Sequence, residues 1–270
     1  MPRRLLFLLL CFGLLGACAE TQEQAESPLE YAANAKRAYE SALEPYFDHD
    51  WEEANLRMAE VKRKYGYSRY GRLAELRLAD ASYHQENYAE AVAGYQGFIH
   101  DYPNDAEVPY ARFMVAKSYF EQTSASLLLP PLEERDLAAV HDAHRSIREF
   151  LSDFPEYKRR RELEYMLEVV AGLLARHELY VARFYLAEDR FEAAAARVQY
   201  SLRNYESSGL EAEALVLLGE IRLKMHHAKE ARSLFRQVLA EYPASPFVVP
   251  ARRFLQRLEE PEEGHVDAAR

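Results

Sequence analysis

The chain has little cysteine, glycine or proline. Only two cysteines occur among its 270 residues, and both, Cys11 and Cys18, lie near the amino terminus. No structural disulfide is therefore expected in the body of the protein. Glycine (10) and proline (12) are scarce in a chain that is 49% hydrophobic. This composition disfavours a β-sandwich or a disordered chain and favours helices.

The chain also lacks an excess of positive charge. Lysine and arginine total 34 against 44 aspartates and glutamates, which gives a net charge of −10. That balance argues against general binding to nucleic acid or to anionic lipid headgroups. No glycine-rich phosphate loop is present, and single Ser and Asp residues form no nucleophile constellation. We therefore expect no catalytic residues, no cofactor and no enzyme activity.

Two short clusters of polar residues are candidate sites. His141 and His144 have helical spacing, but no carboxylate or third histidine is placed to complete a metal site, so no metal is expected. The basic run at 158–161, "KRRR", is predicted at a helix start, where cations oppose the helix dipole. We interpret the run as a solvated face; the alternative is contact with an acidic partner or with phosphate headgroups.

The first residues, "MPRRLLFLLLCFGLLGAC", have the pattern of an export signal. Two arginines precede an apolar run from Leu5 to Leu15 that is too short for an ordinary membrane span. The ending "LGAC" resembles the lipobox of bacterial lipoproteins, in which the signal is cut before a cysteine that is then lipidated. We predict a signal peptide at 1–17, lipidation of Cys18 and a flexible tether over 18–28. The alternative is a plain cleaved signal with a chance cysteine.

An internal repeat organises the rest of the chain. A small residue is followed eleven positions later by an aromatic residue in five places: Ala54–Tyr65, Ala91–Tyr102, Ala143–Phe154, Ala194–Tyr205 and Ala231–Tyr242. Eleven residues make about three helical turns, so each pair lies on one face of a helix. Three of the aromatics precede a proline, which ends the helix there. Asn104, Asp105 and Ser245 are then predicted to accept hydrogen bonds from the amides that open the next helix.

The residues between each alanine and its aromatic predict an apolar stripe. It comprises positions +4 (Met58, Tyr95, Ile147, Val198, Phe235) and +8 (Ile99, Leu151, Leu202, Leu239). Partner helices are predicted before four of these segments, at 76–86, 110–121, 173–188 and 212–225. In the third of them, Tyr180 and Phe184 occupy core-like positions.

Paired helices with small residues at their crossings and a terminal proline are typical of tetratricopeptide repeats (TPRs). The predicted fold is therefore all-α, a right-handed TPR-like superhelix of about five antiparallel helix pairs with one concave face. We divide it into an amino-terminal half (29–122), an insertion loop (123–135), a carboxyl-terminal half (136–258) and a disordered acidic tail (259–270).

The order of these segments resembles a known family. The stretch 65–122, which includes "FIHDYPNDAEVPYA", is similar to the BamD (ComL-type) lipoproteins of the outer-membrane β-barrel assembly machine. The likeness continues through "REFLSDFP" and "ELYVARFYLAEDRFEAAAARVQYSLRNYESS". Gly66 and Glu206 depart from it, since the family usually has proline at both positions.

The resemblance implies a non-catalytic scaffold, lipid-anchored to the bacterial outer membrane and facing the periplasm. Its amino-terminal repeats are expected to bind unfolded β-barrel precursors through Tyr39, Tyr83 and Tyr119. Its carboxyl-terminal repeats are expected to dock the periplasmic domains of a BamA-like barrel assembly protein, with Arg197 matching a family arginine that faces that partner. The alternative is another envelope TPR lipoprotein that coordinates peptidoglycan synthesis, secretion or competence.

Overall fold

The computed structural model describes residues 27–123 and 137–259. Within these ranges the chain forms eleven α-helices and no strand. In chain order they are α1 Pro28–Phe47, α2 Trp51–Tyr65, α3 Arg69–His84, α4 Tyr88–Asp101, α5 Val108–Gln122, α6 Ala138–Asp153, α7 Arg160–Ala187, α8 Phe191–Asn204, α9 Glu211–Lys224, α10 Ala228–Glu241 and α11 Val248–Glu259. The predicted signal peptide, Cys18 and nearly all of the tether, insertion loop and tail lie outside the described residues.

Each helix packs against the next one along the chain. Short connections make such neighbours antiparallel, so α1–α2, α3–α4, α7–α8 and α9–α10 are helix pairs. α5 and α6 pack together as a further pair across a longer connection, and α11 packs on the last pair. The predicted all-α class and the predicted stack of helix pairs are confirmed.

The turns inside four of the pairs share one backbone design. His49, Glu86, Asp189 and His226 each follow the end of a first helix and have a positive φ between 55° and 63°. The next N–H then donates to a carbonyl five residues back, as from Asp50 to Pro45 at 2.9 Å. This is the Schellman arrangement that satisfies carbonyls at a helix end.

The joins between pairs explain why a proline follows three of the repeat aromatics. α4 ends at Asp101, and the carbonyl of Tyr102 accepts a hydrogen bond from the N–H of Asp105 at 3.0 Å. The Asp105 carboxylate accepts from the N–H of Glu107 at 3.0 Å, just before α5 begins. Ser245 plays the same part for the N–H of Phe247 at 3.2 Å. Asp105 and Ser245 therefore accept from the residue just before each helix and not from the helix itself, which differs from the predicted caps. Asn104 accepts no such bond within the described residues.

The apolar stripe is confirmed with a change of spacing. All five +4 residues are at most 1% exposed, whereas the +8 residues are only partly buried. The positions buried instead are +7: Val61, Phe98, Phe150, Ser201 and Val238. Offsets of 0, 4, 7 and 11 follow the narrow seam along which two helices cross, so the predicted +8 position lies beside the seam.

The first helices of consecutive pairs form one continuous layer. Side-chain contacts link Tyr39 with Arg77, Tyr83 with Glu121, Lys117 with Glu162 and Arg183 with Glu213, which joins α1, α3, α5, α7 and α9 in order. Every first helix begins at one edge of this layer and ends at the other. All joins between pairs therefore lie at the edge where the chain enters α1, and all turns within pairs lie at the opposite edge.

Candidate protein-interaction surface

Tyr39 belongs to a buried polar network centred on Asp80. The Asp80 side chain is 1% exposed and is ion-paired with Arg77, whose Nε donates to the Tyr39 hydroxyl at 3.3 Å. Asp80 also accepts from the hydroxyls of Tyr95 at 2.6 Å and Tyr110 at 2.7 Å. Tyr39 is only 8% exposed, so it supports the first helices from within the fold.

Burial and the Asp80 charge keep the surrounding tyrosines protonated. Burial, followed by the Asp80 charge, raises the pKa of Tyr46 to about 12. The same two causes raise the pKa values of Tyr95 and Tyr110. Neutral hydroxyls remain donors at every physiological pH, so the carboxylate keeps its hydrogen bonds.

Tyr83 is partly buried near the carboxyl end of α3, at the edge of the first-helix layer where the turns within pairs lie. Its hydroxyl donates to Glu121 at 3.2 Å, and the ammonium of Lys117 lies 5.5 Å from its ring centroid. Burial, then the Glu121 charge, raises its pKa. Beside it, the indole of Trp51 is stacked on the imidazole of His84 with 5.1 Å between ring centroids. This edge of the layer offers aromatic surface together with paired charges.

Tyr119 faces a different part of the stack. Its hydroxyl lies 3.4 Å from Nε2 of Gln96, and its side chain lines an open groove of about 180 Å³ among α4, α5 and α6. Arg112 and Arg145 line the same groove. The structure thus places the three predicted precursor-binding tyrosines in three separate environments. Tyr83 and Tyr119 are partly exposed, whereas Tyr39 is buried.

Arg197 projects from α8 beside a buried carboxylate. Its Nη1 donates to Oε2 of Glu178 at 3.3 Å, with side-chain exposures of 44% for Arg197 and 9% for Glu178. Tyr200, three residues along the same helix, is 42% exposed. An exposed arginine held in place by a buried acid and next to a tyrosine has the composition of an interface hot spot.

The repeat stack matches a known family over most of its length. The family described as "YfiO: Outer membrane lipoprotein" matches residues 31–234, from the first turns of α1 into α10. The chain belongs to this family. The match covers both Tyr83 and Arg197 and therefore both halves of the stack.

Several relatives of this YfiO-family chain carry the same name. The outer membrane protein assembly factor BamD of Caulobacter vibrioides is 28% identical over 206 residues, which cover 76% of this chain and 65% of that protein, just under two thirds. BamD of Xylella fastidiosa strain 9a5c is 23% identical, and the match covers 90% of this chain and 84% of the Xylella protein. BamD of Neisseria gonorrhoeae is 23% identical, and the match covers 91% of this chain and 94% of the Neisseria protein. Among solved structures, the TPR2AB-domain:pHSP90 complex of yeast Sti1 covers 84% of this chain and 83% of its own at 11% identity, with a TM-score of 0.42.

Sequence reasoning missed an exposed aromatic stripe on α7 of this YfiO-family protein. Tyr180 and Phe184, predicted in the core, are 47% and 59% exposed, and Tyr165 on the same helix is 65% exposed. α7 is one helix of 28 residues whose buried stripe runs through Leu174, Leu179 and Ala182. Tyr180 and Phe184 lie outside that stripe. The helical spacing of the apolar residues along the whole of α7 was the signal that would have placed Tyr180 and Phe184 outside the core.

The described residues hold no group of three or more metal-ligating side chains. His144 packs its ring edge-on against Tyr205 at 5.4 Å, and burial, followed by Arg148, lowers its pKa to about 4. His144 is therefore neutral at pH 7 and lies at the edge of the core.

Among the helices of the described ranges, none has both the length and the apolarity needed to span a bilayer.

Proposed function

We propose that the chain is a non-catalytic outer-membrane lipoprotein that acts as a scaffold in the assembly of β-barrel proteins. The observation that carries this function is the family match over residues 31–234, together with relatives named as outer membrane protein assembly factors. The stacked helix pairs fit such a role because they give a long, continuous surface to other proteins.

The proposal includes an anchor at Cys18 and a periplasmic orientation. The lipobox pattern and the family's description as outer membrane lipoproteins support both. One acyl chain gives only marginal membrane binding, so stable attachment requires a multiply acylated Cys18. Ala19, not an aspartate, follows the cysteine, as in lipoproteins sent to the outer membrane of enteric-type bacteria.

The proposed partners divide between the two halves. Unfolded β-barrel precursors bind the amino-terminal half, where the aromatic surface around Tyr83 and Trp51 suits a chain rich in aromatics. The periplasmic domains of a BamA-like barrel protein bind the carboxyl-terminal half at Arg197 and Tyr200. Arginine and tyrosine at the centre of an interface contribute more to affinity than most residues.

A membrane pull-down through the anchored protein tests this function. The expected result is recovery of the large outer-membrane barrel assembly protein. Removing Arg197 alone would leave the buried Glu178 carboxylate unpaired, so the docking variant is Glu178→Gln with Arg197→Gln. The matched control is Arg203→Gln, on the same helix and exposed, with no ion pair to a described residue.

We expect the double variant to lose most of the barrel protein and the control to retain it. Equal recovery with both would rule out Arg197 as a docking residue. Recovery of peptidoglycan enzymes or a secretion channel by the wild-type chain, without the barrel protein, would refute the assembly function itself. Circular dichroism of each variant shows whether the fold is kept.

A further inference from the structure

The join between α2 and α3 carries more positive charge than helix stability explains. Lys62, Arg63 and Lys64 form the last turn of α2, where cations complement the helix dipole. Arg69 is the first residue of α3, where a cation opposes the dipole. Helix stability therefore does not explain why a basic residue occupies that position.

Most of this charge is not neutralised within the fold. Lys62 pairs with Glu75 at 3.1 Å, and Arg72 pairs with Asp105 at 3.0 Å. Arg63, Lys64 and Arg69 are exposed and form no ion pair with any described residue. The join is therefore a local positive patch on a chain whose net charge is −10. We call Arg63, Lys64, Tyr67 and Arg69 the basic join.

The shape of the basic join suits a small anionic group beside an apolar phase. An open hollow of about 500 Å³ lies at this join, lined in part by Arg63, Lys64 and Tyr67. Tyr67 is 99% exposed, the greatest exposure among the large hydrophobic side chains of the described ranges. Exposed tyrosine next to lysine and arginine is the composition found where proteins meet the headgroup layer of a membrane.

The path of the chain brings the start of α1 next to this patch. α1 begins at Pro28, where Ser27 forms a capping box with Glu30. One turn on, the Tyr31 hydroxyl donates to the carbonyl of Lys64 at 3.4 Å, and its ring meets that of Tyr65 edge-on. Eight residues lie between Cys18 and Ser27, so nine Cα-to-Cα steps join the two. A chain of that length reaches at most about 30 Å, so the anchor keeps the start of α1 within that distance of the membrane surface.

The opposite edge lies farther from the tether by the length of α1. Its 20 residues span about 30 Å, so the turn that contains Asp48 lies that far from the tethered edge. The chain as a whole is acidic and is repelled by an anionic surface. Only a local basic patch at the tethered edge lets that edge approach anionic lipids.

We propose that the basic join is a membrane-contact surface that binds the phosphate groups of anionic lipids and sets the orientation of the stack on the bilayer. The inference rests on the anchor at Cys18 in the proposed function. Its occupant is the lipid surface, because the tether brings that surface within reach. Each cation near an anionic membrane contributes roughly fivefold to binding, so Arg63, Lys64 and Arg69 together favour the contact by on the order of 100-fold.

The test uses the full lipidated protein in vesicles of phosphatidylcholine alone or of an equal mixture with phosphatidylglycerol. A fluorophore is attached at Tyr67→Cys or, as a control on the far edge, at Asp48→Cys. The two natural cysteines lie in the first twenty residues, one in the cleaved signal and one acylated, so each label is unique. Quenching by a lipid with a spin-labelled headgroup reports contact with the membrane surface.

We expect strong quenching at position 67 with phosphatidylglycerol, little at position 48, and loss of the difference at high salt. Arg63→Glu with Lys64→Glu should reduce quenching at 67 to the level in phosphatidylcholine alone. The matched control is Lys224→Glu with Lys229→Glu, two exposed cations at the far edge, which should change nothing. Added inorganic phosphate should compete only weakly, because the membrane presents many phosphates at once.

Each remaining outcome counts against a specific statement. Quenching at 67 that is independent of phosphatidylglycerol, or insensitive to the charge reversal, would overturn the membrane contact. Loss of a co-purifying acidic protein in the charge-reversal variant, with quenching unchanged, would make the basic join a protein contact instead. Protein that washes off the vesicles entirely would refute the anchor at Cys18, and with it the anchored form of the proposed function.

Discussion

At the residue scale, the fold depends on a charge that it buries. The Asp80 carboxylate is 1% exposed and collects a guanidinium and several hydroxyl groups from α1, α3, α4 and α5. An ionised group inside a protein is strongly disfavoured unless such partners surround it. The network therefore fixes the relative positions of the first two pairs and the start of the third.

Asp80→Ala should lower the free energy of unfolding by about 3–5 kcal/mol, since it leaves Arg77 largely buried without its carboxylate. Tyr95→Phe removes one hydroxyl donor from the same acid and should cost about 1 kcal/mol. Urea unfolding followed by circular dichroism measures both. Asp101→Ala, at an exposed carboxylate, is the control and should fall within about 0.5 kcal/mol of the wild type. An Asp80→Ala loss no larger than that of the control would show that the network contributes nothing.

The sequence predicted the apolar residues of the fold better than its polar ones. The alanine-to-aromatic spacing located Ala91, Tyr95 and their equivalents because burial of apolar side chains repeats along one helix face. Asp80 and Glu178 escaped notice because a carboxylate in a helical pattern is ordinarily assigned to solvent. Their burial depends on partners from other helices, and no local spacing reveals those partners.

The same reason limits what was predicted for Arg197. Its exposed position agrees with the docking role that the family resemblance implied, and that role stays a prediction. Its ion pair with Glu178 was not foreseen, because the two residues lie on different helices. Charge reversal at Arg197 would set two carboxylates side by side, which is why the docking test neutralises both members of the pair.

At the scale of the element, glycine sets how closely two helices approach. A Cβ at Gly219 of α9 would lie 2.4 Å from the ring of Phe235 in α10. Phe235 cannot move aside, because it is fully buried and stacked on Phe254 with 4.9 Å between ring centroids. The repeat pattern predicts small residues where paired helices cross; only the structure shows that Gly219 leaves the space for this ring.

Gly219→Ala should destabilise the protein by about 1–3 kcal/mol, although alanine is the better helix former. Gly97 of α4 has no atom within 4 Å of an added Cβ, so Gly97→Ala isolates helix propensity and should stabilise by about 0.4–1 kcal/mol. Thermal melts of the two variants give the comparison. Opposite signs support the close contact, whereas two stabilising substitutions would show that α9 and α10 tolerate extra separation.

At the scale of the whole molecule, the core is a row of neighbouring clusters. One lies across α1–α3, a larger one across α3–α7, and two more across α7–α9 and α9–α11. In such a stack each pair is stabilised by itself and by its neighbours, so local stability need not be uniform. The first and last helix pairs, which belong to different clusters, then have separate local stabilities.

Phe235→Ala tests this division, because Phe235 lies at the centre of the last cluster and is fully buried. The substitution should cost about 3–5 kcal/mol. In a row of clusters the loss is confined to neighbours, so amide hydrogen exchange should quicken in α9, α10 and α11 and stay slow in α2, α3 and α4. Hydrogen-exchange mass spectrometry of peptides from both halves measures the difference. Equal acceleration in every helix would mean that the stack opens as one unit, and a partner bound at either half would then stabilise both.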